Sequence, residues 1–385
     1  MWRNTTLSVS AVQGVLQNDT IANGDSLSVV LVAGPAHGTL TLKADGSFVY
    51  VPEPGYTGQD SFSYQATNGT TESADGIVAL EVKSNQQAMA QQGDYDGDGK
   101  ADILVFRPET ATFSVSLSSG GGLTQQWGWA NHDQPLIGDY DGDGKTDVAV
   151  FRPETATFYA KLSSGGVLTQ QWGWVGHDQA ETGDYDGDGK TDVAVFRPDN
   201  AIFYVKLSSG GSMTQQWGWP YHDEPQIGDY DGDGKTDFAV YRPQNGTFYV
   251  KESSGGTLTK AMVNTNSPLP LTGDYDGDGK TDFAVYQANT AVFNVAYSSG
   301  GTYSPNFGWA GHDLPISGDY DGDGKTDYAV FRPDTATFYV SESSGAFLTQ
   351  QWGWVGHDEP VDLPASWYSV ADNAPTGGSG HTTVS

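Results

Sequence analysis

Apolar and polar residues alternate along this chain in short runs, and turn-forming residues separate the runs. Between residues 139 and 183, strand-like runs occupy 147–152, 157–162 and 168–174, with a shorter run at 180–183. The segments "PETA", "SSGG" and "VGHD" that separate them are typical of turns. Because no helical period extends over about ten residues, the pattern predicts four short antiparallel strands and excludes helical repeats.

The same pattern returns at a constant interval. The segment "GDYDGDGKTD" at 138–147 occurs six times, with at most Ala in place of Thr, and successive copies lie 45 residues apart. A fixed period of this length indicates a solenoid or a propeller, and four short strands in each repeat favour a propeller blade. The sequence therefore predicts an all-β fold with a six-bladed β-propeller, and a seventh blade built from the C-terminal tail is the alternative.

Two segments could close the predicted ring. A strand at 87–93, "QAMAQQG", precedes the first aspartate loop, and "HDEPVDL" at 357–363 follows the last repeat. Both segments stand where "HDQPLIG" stands in the second repeat, so either could complete the first blade.

The N-terminal part of the chain shares nothing with the repeats. Segments such as "GTLTL", "GSFVYV" and "DSFSYQA" alternate in polarity between Gly, Asn, Asp and Pro turns, which indicates a β-sandwich. We therefore divide the chain into a sandwich at 1–85, a propeller at 86–364 and a C-terminal tail at 365–385.

The charge of the chain is concentrated in the repeated loops. The formal net charge is −30, and the six loops contain 24 Asp and 6 Lys, a net −18, which leaves −12 for all other residues. Carboxylates crowded in this way repel one another and usually need a cation to fold around. With only 18 Lys+Arg against this acidic charge, the chain is a poor candidate for binding nucleic acid. The absence of Cys excludes thiolate metal sites, and no apolar run in the sequence is long enough to span a membrane.

Each loop has the ligand order of a calcium site. Counting from the first aspartate of a loop, carboxylates fall at positions 1, 3, 5 and 9, a main-chain carbonyl is available at position 7, and Gly at position 6 permits a sharp turn. These are the first nine positions of an EF-hand loop, but position 12 is Val in every copy, so the loop is not an EF-hand. A metal-free turn rich in Asp is the alternative, although such a turn needs one Asp and not four.

We expect about six Ca²⁺ ions per chain, with the Lys at position 7 contributing its carbonyl oxygen. The predicted ligands are Asp94, Asp96, Asp98, Lys100 and Asp102; Asp139, Asp141, Asp143, Lys145 and Asp147; Asp184, Asp186, Asp188, Lys190 and Asp192; Asp229, Asp231, Asp233, Lys235 and Asp237; Asp274, Asp276, Asp278, Lys280 and Asp282; and Asp319, Asp321, Asp323, Lys325 and Asp327.

A second motif, "WGWxxHD", recurs in four repeats, and a fifth repeat carries "FGWAGHD". In the packing interpretation, the first aromatic residue wedges between blades while His and Asp tie the turn to a neighbouring backbone. In the binding interpretation, the second Trp stacks on a sugar beside His and Asp, and both Trp residues of the motif point the same way. The candidate ligand-binding residues are Trp129, His132, Asp133, Trp174, His177, Asp178, Trp219, His222, Asp223, Trp309, His312, Asp313, Trp354, His357 and Asp358.

Two consecutive repeats depart from this pattern, so one sector of the ring differs from the others. In the fourth repeat the segment "MVNTNSP" at 262–268 carries neither aromatic ring nor His-Asp, and in the next repeat "YRP" becomes "YQA" at 286–288. Catalysis normally needs one asymmetric group of residues, whereas this motif is repeated, so we expect a binding or structural protein and not an enzyme.

The aspartate loop running into an apolar strand resembles the FG-GAP/VCBS-type repeats of integrin-like β-propellers. The segments "GVLQND" at 14–19, "GPAHGTLTL" at 34–42 and "DGSFVYVPEPGYTGQDSFSY" at 45–64 resemble the Ig-like/cadherin-like modules of bacterial surface adhesins. These resemblances imply an extracellular or cell-surface calcium-binding adhesin or matrix subunit, and a lectin-like one would bind a glycan or cell-surface ligand. A polysaccharide lyase or another glycan-acting enzyme is the alternative.

The tail at 365–385 resembles the opening strand of the same Ig-like family. It could therefore act as a donor strand for the sandwich of another subunit, which would join subunits head-to-tail into filaments. The alternatives are a disordered tail or a chain that is part of a longer tandem array.

Overall fold

A computed structural model of the chain describes residues 7–11, 14–19, 26–52, 58–82, 93–264 and 268–361. These residues form β-strands joined by turns, with one 3-10 helix at Pro108–Thr110 and no α-helix among them. Within the same described ranges, no helix has the length and apolar character required to cross a bilayer.

The N-terminal strands form two three-stranded antiparallel sheets. One sheet has the order β1 (Leu7–Val9), β4 (Phe48–Pro52) and β3 (Gly38–Leu42). The other has the order β2 (Ser28–Ala33), β5 (Gly58–Thr67) and β6 (Gly76–Val82).

Both N-terminal sheets contribute to a single apolar core. Phe48 and Tyr50 from one sheet pack with Phe62, Tyr64 and Leu80 from the other. The predicted alternation explains this arrangement, because every second residue of a strand faces the same side.

The remaining described strands form six four-stranded antiparallel sheets, which we number 1 to 6. Sheet 1 contains β7 (Ile103–Arg107), β8 (Thr112–Ser116), β9 (Gly122–Gln126) and β30 (Glu359–Pro360); sheet 2 contains β10 (Gln134–Leu136), β11 (Val148–Arg152), β12 (Thr157–Lys161) and β13 (Val167–Gln171); sheet 3 contains β14 (Gln179–Gly183), β15 (Asp192–Arg197), β16 (Ile202–Lys206) and β17 (Ser212–Gln216). Sheet 4 contains β18 (Glu224–Gln226), β19 (Phe238–Arg242), β20 (Thr247–Lys251) and β21 (Thr257–Ala261); sheet 5 contains β22 (Leu269–Gly273), β23 (Asp282–Gln287), β24 (Val292–Ala296) and β25 (Thr302–Tyr303); sheet 6 contains β26 (Leu314–Gly318), β27 (Asp327–Arg332), β28 (Thr337–Ser341) and β29 (Phe347–Gln351).

Burial changes systematically across each sheet. In sheet 3, β15 is buried along nearly its whole length, β16 buries every second residue, and β17 alternates between exposed and half-buried positions. A strand buried on both faces needs a continuous apolar run, and "DVAVFR" supplies one. The outermost strand carries "SMTQQ", whose polar residues tolerate water.

The sheets do not coincide with the 45-residue units expected from the sequence. We took the run at 180–183 as the fourth strand of its own repeat, but β14 pairs with β15 of the following repeat. The last strand of one 45-residue repeat therefore lies in the sheet of the next repeat, and this shared strand connects consecutive repeats.

Apolar clusters connect consecutive sheets. Phe106 of sheet 1 shares a cluster with Val150 of sheet 2, and similar clusters join sheets 2 and 3, 3 and 4, 4 and 5, and 5 and 6. A further cluster joins Phe331 of sheet 6 to Val105 of sheet 1. This succession of antiparallel sheets gives a propeller-like fold.

The last repeat contributes a strand to the first sheet. Glu359 pairs with Phe106 and Pro360 with Val105, so the segment "HDEPVDL" provides the fourth strand of sheet 1. The alternative closing strand at 87–93 lies outside the described residues except for Gly93, and the predicted donor strand at 365–385 lies entirely outside them.

Candidate functional site

In sheets 2 to 6 the aspartate loop connects the first strand of the sheet to its second strand, and in sheet 1 the loop directly precedes β7. In sheet 2 the loop follows β10 and ends at Asp147, immediately before β11. Gly142 and Gly144 have φ of +77° and +88°, a left-handed conformation that side chains with a Cβ rarely adopt. The glycines at positions 4 and 6 thus allow the chain to turn tightly around its own carboxylates.

The aspartates at positions 1 and 9 organise the loop backbone. Asp139 Oδ1 accepts a hydrogen bond from Gly142 N (2.7 Å), and its Oδ2 accepts one from Gly144 N (2.8 Å). Asp147 accepts hydrogen bonds from Tyr140 N (2.8 Å) and from Ser163 N (2.7 Å). Both carboxylates are therefore fixed in position by main-chain donors.

Two serines that we did not predict support the aspartates at positions 3 and 5. Ser163 Oγ donates to Asp143 Oδ2 at 2.6 Å, and Ser164 Oγ donates to Asp141 Oδ2. The serines belong to the hairpin "SSGG" between β12 and β13, and the first serine of this hairpin has the same role in all six repeats. The recurrence of "SSG" 16 residues after position 9 was the available sequence signal.

Three carboxylates converge in each of several loops. Oxygen atoms from positions 1, 3 and 9 lie within 4.8 Å of one another in the loops that begin at Asp94, Asp139, Asp184, Asp229 and Asp274, and one further acidic group of this kind is present. Position 5 is not part of these groups; at Asp143 its oxygens accept hydrogen bonds from the serine hydroxyl and from the position-7 N–H.

The converging oxygens fit a hard divalent cation. Asp186 Oδ1 and Asp231 Oδ2, both at position 3, are buried and have no hydrogen-bond partner. A buried carboxylate oxygen without a donor is costly, and a bound cation would satisfy it. All of the converging atoms are carboxylate oxygens, which is the ligand chemistry that Ca²⁺ prefers.

The protein environment disfavours ionisation of these carboxyls in the absence of a cation. Burial raises the pKa of Asp102, Asp147, Asp184, Asp192 and Asp282 to about 6, and that of Asp229, Asp237, Asp274 and Asp327 to about 7. Repulsion from neighbouring aspartates adds to the effect, while main-chain hydrogen bonds oppose it. A cation at the centre of the loop would reverse this preference.

The first Trp of each "WGW" packs between neighbouring sheets. Trp172 is half-buried against the cluster shared by sheets 2 and 3, and its Nε1 donates to Tyr204 O at 3.0 Å. Equivalent bonds join Trp127 to Tyr159, Trp217 to Tyr249 and Trp352 to Ser114. The packing interpretation of this residue is confirmed.

The second Trp is more exposed than the first, and the strand alternation from which we predicted a common direction for the two side chains does not reach it. Trp174 is 53% exposed, and the corresponding residues of the other motifs are exposed to a similar degree. Strand β13 ends at Gln171, and Gly173 has φ of +112°, so the strand alternation does not extend through the motif.

The motif aspartates are held by arginines that the sequence analysis missed. Asp178 accepts hydrogen bonds from Arg197 Nε (2.6 Å) and Nη2 (2.9 Å) and from Trp174 N (2.6 Å), and its side chain is fully buried. The same fork joins Asp133 to Arg152, Asp223 to Arg242, Asp313 to Arg332, and Asp358 to Arg107. The aspartate therefore secures the crossover between sheets through an arginine side chain, and not through a neighbouring backbone as expected.

Both partners of this fork are lost at one junction between consecutive repeats. Pro268, which directly precedes β22, stands at the aspartate position, and Gln287 of β23 stands at the arginine position. This joint loss was the sequence signal for the contact. We assigned both changes to one sector of the ring but did not predict a contact between the two positions.

The motif histidines stack on the exposed tryptophans. His132 lies 3.9 Å from the Trp129 ring and pairs with Glu154 at 2.8 Å, and His177 and His312 are arranged similarly. One indole face is thus covered by imidazole in these motifs. In the fifth motif, Trp354 meets His357 edge-on at 6.0 Å and is 63% exposed.

Comparison with known proteins assigns two kinds of module. Residues 3–81 match a bacterial Ig domain, and residues 94–150, 139–195, 184–240 and 229–285 match an FG-GAP-like repeat. No curated protein matches the chain.

Several solved structures resemble the chain weakly. A streptogramin B lyase has 9% identity and a TM-score of 0.47, with 68% of this chain and 82% of that chain covered. A virginiamycin B lyase from Staphylococcus aureus has 9% identity and a TM-score of 0.46, with coverage of 69% and 86%. An auxiliary nutrient binding protein from Bacteroides ovatus has 12% identity and a TM-score of 0.39, with coverage of 95% and 88%. With TM-scores below 0.5, these similarities indicate no shared activity.

Proposed function

The chain belongs to the bacterial Ig-domain and FG-GAP-like repeat families, and on that premise we propose that it is a calcium-binding, adhesin-like protein of the bacterial cell surface or matrix. The observation that carries this proposal is the convergence of three carboxylates within 4.8 Å in the repeated loops. Such loops bind their ion with oxygen ligands, and an extracellular medium supplies calcium at the millimolar level that modules of this type require.

Each ion would be held by the aspartates at positions 1, 3 and 9 of its loop, with positions 5 and 7 completing the set. The ion would supply positive charge to a buried acidic cluster and thereby hold the loop in its folded conformation. Six equivalent loops correspond to about six ions per chain.

We propose that the six sheets form a closed six-bladed β-propeller. Three features support closure, and the first two are the pairing of β30 from the last repeat with β7 and the cluster around Phe331 that joins sheet 6 to sheet 1. The fork between Arg107 and Asp358 secures the same junction, with Arg107 Nε 2.6 Å from Asp358 Oδ1.

The exposed Trp-His units are the candidate ligand-binding surface of this propeller. They are repeated around the sheets, which suits multivalent attachment to a glycan or a cell-surface ligand better than catalysis at one site. Trp354 is the best candidate for stacking on a sugar, because it is the most exposed of the five and is not stacked on its histidine, although the Arg107 guanidinium lies over its ring at 4.3 Å from the centroid.

A glycan array tests this role directly. We expect calcium-dependent binding to a glycan, and Trp354→Ala should weaken it. The control is Phe347→Ala, which removes an aromatic side chain outside the motif that is 74% exposed, and it should leave binding unchanged. Absence of binding to any glycan or cell surface would contradict the adhesin role. Release of unsaturated products from a polysaccharide in a parallel absorbance assay would favour the lyase alternative.

We also propose that residues 365–385 donate a strand to the Ig domain of another copy. Strand β2 pairs with β5 along one edge, and Val30, Leu31 and Val32 on this strand are 45%, 43% and 47% exposed. Among the described strands β2 pairs with β5 alone, with one further bond from Val29 N to Ala44 O at 3.2 Å, and exposed apolar residues on such an edge strand favour the addition of a strand.

Sedimentation in calcium tests the assembly. We expect the full chain to form concentration-dependent polymers, and deletion of residues 365–385 should abolish them without changing the calcium content. A full chain that stays monomeric at high concentration would contradict the donor-strand proposal.

A further inference from the structure

The six aspartate loops contact one another in a closed series. The main-chain carbonyl of Asp94, at position 1 of the first loop, accepts a hydrogen bond from the N–H of Thr146, at position 8 of the second loop, at 2.6 Å. Equivalent bonds of 2.6 to 2.7 Å join Asp139 to Thr191, Asp184 to Thr236, Asp229 to Thr281, Asp274 to Thr326, and Asp319 to Ala101. The last bond returns to the first loop, so each loop has a neighbour on both sides.

A second hydrogen bond strengthens several of these joints. The N–H of Asp139 donates to Thr191 Oγ1 at 2.9 Å, and the same bond joins Asp229 to Thr281 and Asp274 to Thr326. The loops approach so closely that a Cβ on Gly183, the residue before position 1, would lie 2.7 Å from Thr236 Oγ1. Position 8 of the first loop is Ala101, which has no hydroxyl, so the joint between the sixth and first loops lacks this bond.

Lysine side chains extend the contact between loops. A Cβ on Gly142, at position 4, would lie 3.0 Å from the Cγ of Lys190, which is position 7 of the next loop, and all six loops share this arrangement. The loops are thus joined by main-chain, hydroxyl and lysine contacts.

We infer that the six loops bind calcium cooperatively, each ion favouring occupancy of the adjoining loops. This inference rests on the proposed calcium sites and adds coupling between them. Its basis is that the hydrogen bonds between loops involve residues within or next to the predicted calcium ligands. Thr191 lies between Lys190 and Asp192, two predicted ligands of one loop, and it hydrogen-bonds to the main chain of Asp139, a predicted ligand of the preceding loop.

The physical reason is that adjoining loops share the loss of conformational entropy that accompanies ion binding. An ion that fixes positions 7 to 9 of one loop also fixes the donor N–H at position 8, which holds position 1 of the preceding loop. That preceding loop then loses less conformational freedom when its own ion binds, which is positive coupling between sites.

A calcium titration of the whole protein tests the coupling. We compare the wild type with the triple variant Thr191→Val, Thr281→Val and Thr326→Val, which removes three hydroxyl bonds between loops and leaves every carboxylate intact. We expect the variant to bind the same number of ions with a lower Hill coefficient and a midpoint shifted about fivefold to higher calcium, within the usual range of coupling between linked sites. Conversely, Ala101→Thr adds the missing hydroxyl and should steepen the wild-type isotherm.

Thr157→Val is the matched control. Thr157 is equally buried, and its hydroxyl donates to Thr155 O in a turn outside the loops. The control should lose some stability but keep the wild-type steepness, because steepness reports coupling and not stability.

The outcomes separate this inference from the proposed function. If no calcium binds, the proposed sites themselves are wrong. If calcium binds but the triple variant and Ala101→Thr both titrate with wild-type steepness, the sites are independent and the inference is overturned. Should the triple variant fail to fold, the comparison of Thr191→Val with Ala101→Thr decides the same question.

Discussion

Removal of one arginine from a crossover fork provides a quantitative test of the packing account. Arg152 holds Asp133 through two hydrogen bonds, each of 2.7 Å, and the carboxylate of Asp133 is fully buried while Arg152 is 20% exposed on its side chain. Arg152→Gln leaves this carboxylate without its charged partner. Gln is the informative replacement because Gln287 occupies the same position in sheet 5.

The expected loss follows from the burial of the carboxylate. Breaking a buried ion pair by removing one partner typically costs about 3–5 kcal/mol. Since part of the Arg152 side chain is in contact with solvent, we expect a loss of about 3 kcal/mol, at the lower end of that range. The guanidinium also lies 4.8 Å from the Tyr159 ring, and losing this contact contributes a further ~0.5 kcal/mol.

The double variant Arg152→Gln with Asp133→Asn should recover most of this loss. Asn keeps a carbonyl oxygen that can accept the hydrogen bond from Trp129 N, now made by Asp133 Oδ2 at 2.7 Å, but it carries no charge. Removing both charges avoids the cost of a buried, unpaired carboxylate. The double variant should therefore lie within about 1 kcal/mol of the wild type.

Denaturant unfolding in saturating calcium, followed by tryptophan fluorescence, measures both variants. Nine of the 11 Trp residues lie in the repeats, so the signal reports mainly on them. A single variant as stable as the wild type, or a double variant no more stable than the single one, would refute the assignment of the fork as the main support of the crossover.

Three further predictions concern packing and charge. Trp172→Phe should lower the free energy of unfolding by about 1 kcal/mol, because it removes the hydrogen bond to Tyr204. Trp174→Phe, at an exposed position, should leave the thermal melt unchanged, and equal effects of the two variants would contradict the different roles of the two residues. Gly183→Ala should destabilise the protein by about 1–3 kcal/mol by pressing against the next loop, while Gly34→Ala, which meets nothing within 4 Å, should be neutral in the same melt. Without metal, the pKa values of the loop carboxyls are raised to about 6 to 7, so as the pH falls the folded protein binds protons before the unfolded chain does. The free energy of unfolding should therefore be greater at about pH 5.5 than at about pH 8, and it should fall as the pH rises through 6 to 7. Saturating calcium should abolish this trend, and a metal-free protein that gains stability between pH 5.5 and 8 would contradict the burial of the loop carboxylates.

Local sequence patterns were sufficient to predict most of the strands. The runs at 147–152 and 157–162 correspond to β11 (Val148–Arg152) and β12 (Thr157–Lys161) to within one residue at each end. Alternation and turn residues act over a few positions, so they are visible in a single repeat. Which sheet receives the run at 180–183 depends on contacts between distant segments, and the sequence pattern does not report this choice.

The candidate calcium loops were predictable because nine consecutive residues contain all the predicted ligands. The groups that support them come from elsewhere in the chain. Ser163 and Ser164 approach from a hairpin, and Thr191 belongs to the following repeat. Only the fold brings these residues to the loop.

The "WGW" motif shows where strand rules stop applying. We extended the alternation through Trp174, but the strand had ended three residues earlier, and Gly173 turned the chain with a positive φ. A glycine between two aromatic residues is compatible with a strand in sequence, so the polarity pattern does not reveal its positive φ.

Metal content and stability, measured together on the full chain, test the central claim most directly. The protein is stripped with EDTA, dialysed against millimolar calcium, and analysed for bound metal by elemental analysis and for its melting temperature. We expect about six Ca²⁺ per chain and a melting temperature that falls sharply in EDTA, because ions that bind only the folded state stabilise it by mass action. A chain that binds no calcium and melts at the same temperature in EDTA and in calcium would contradict the account.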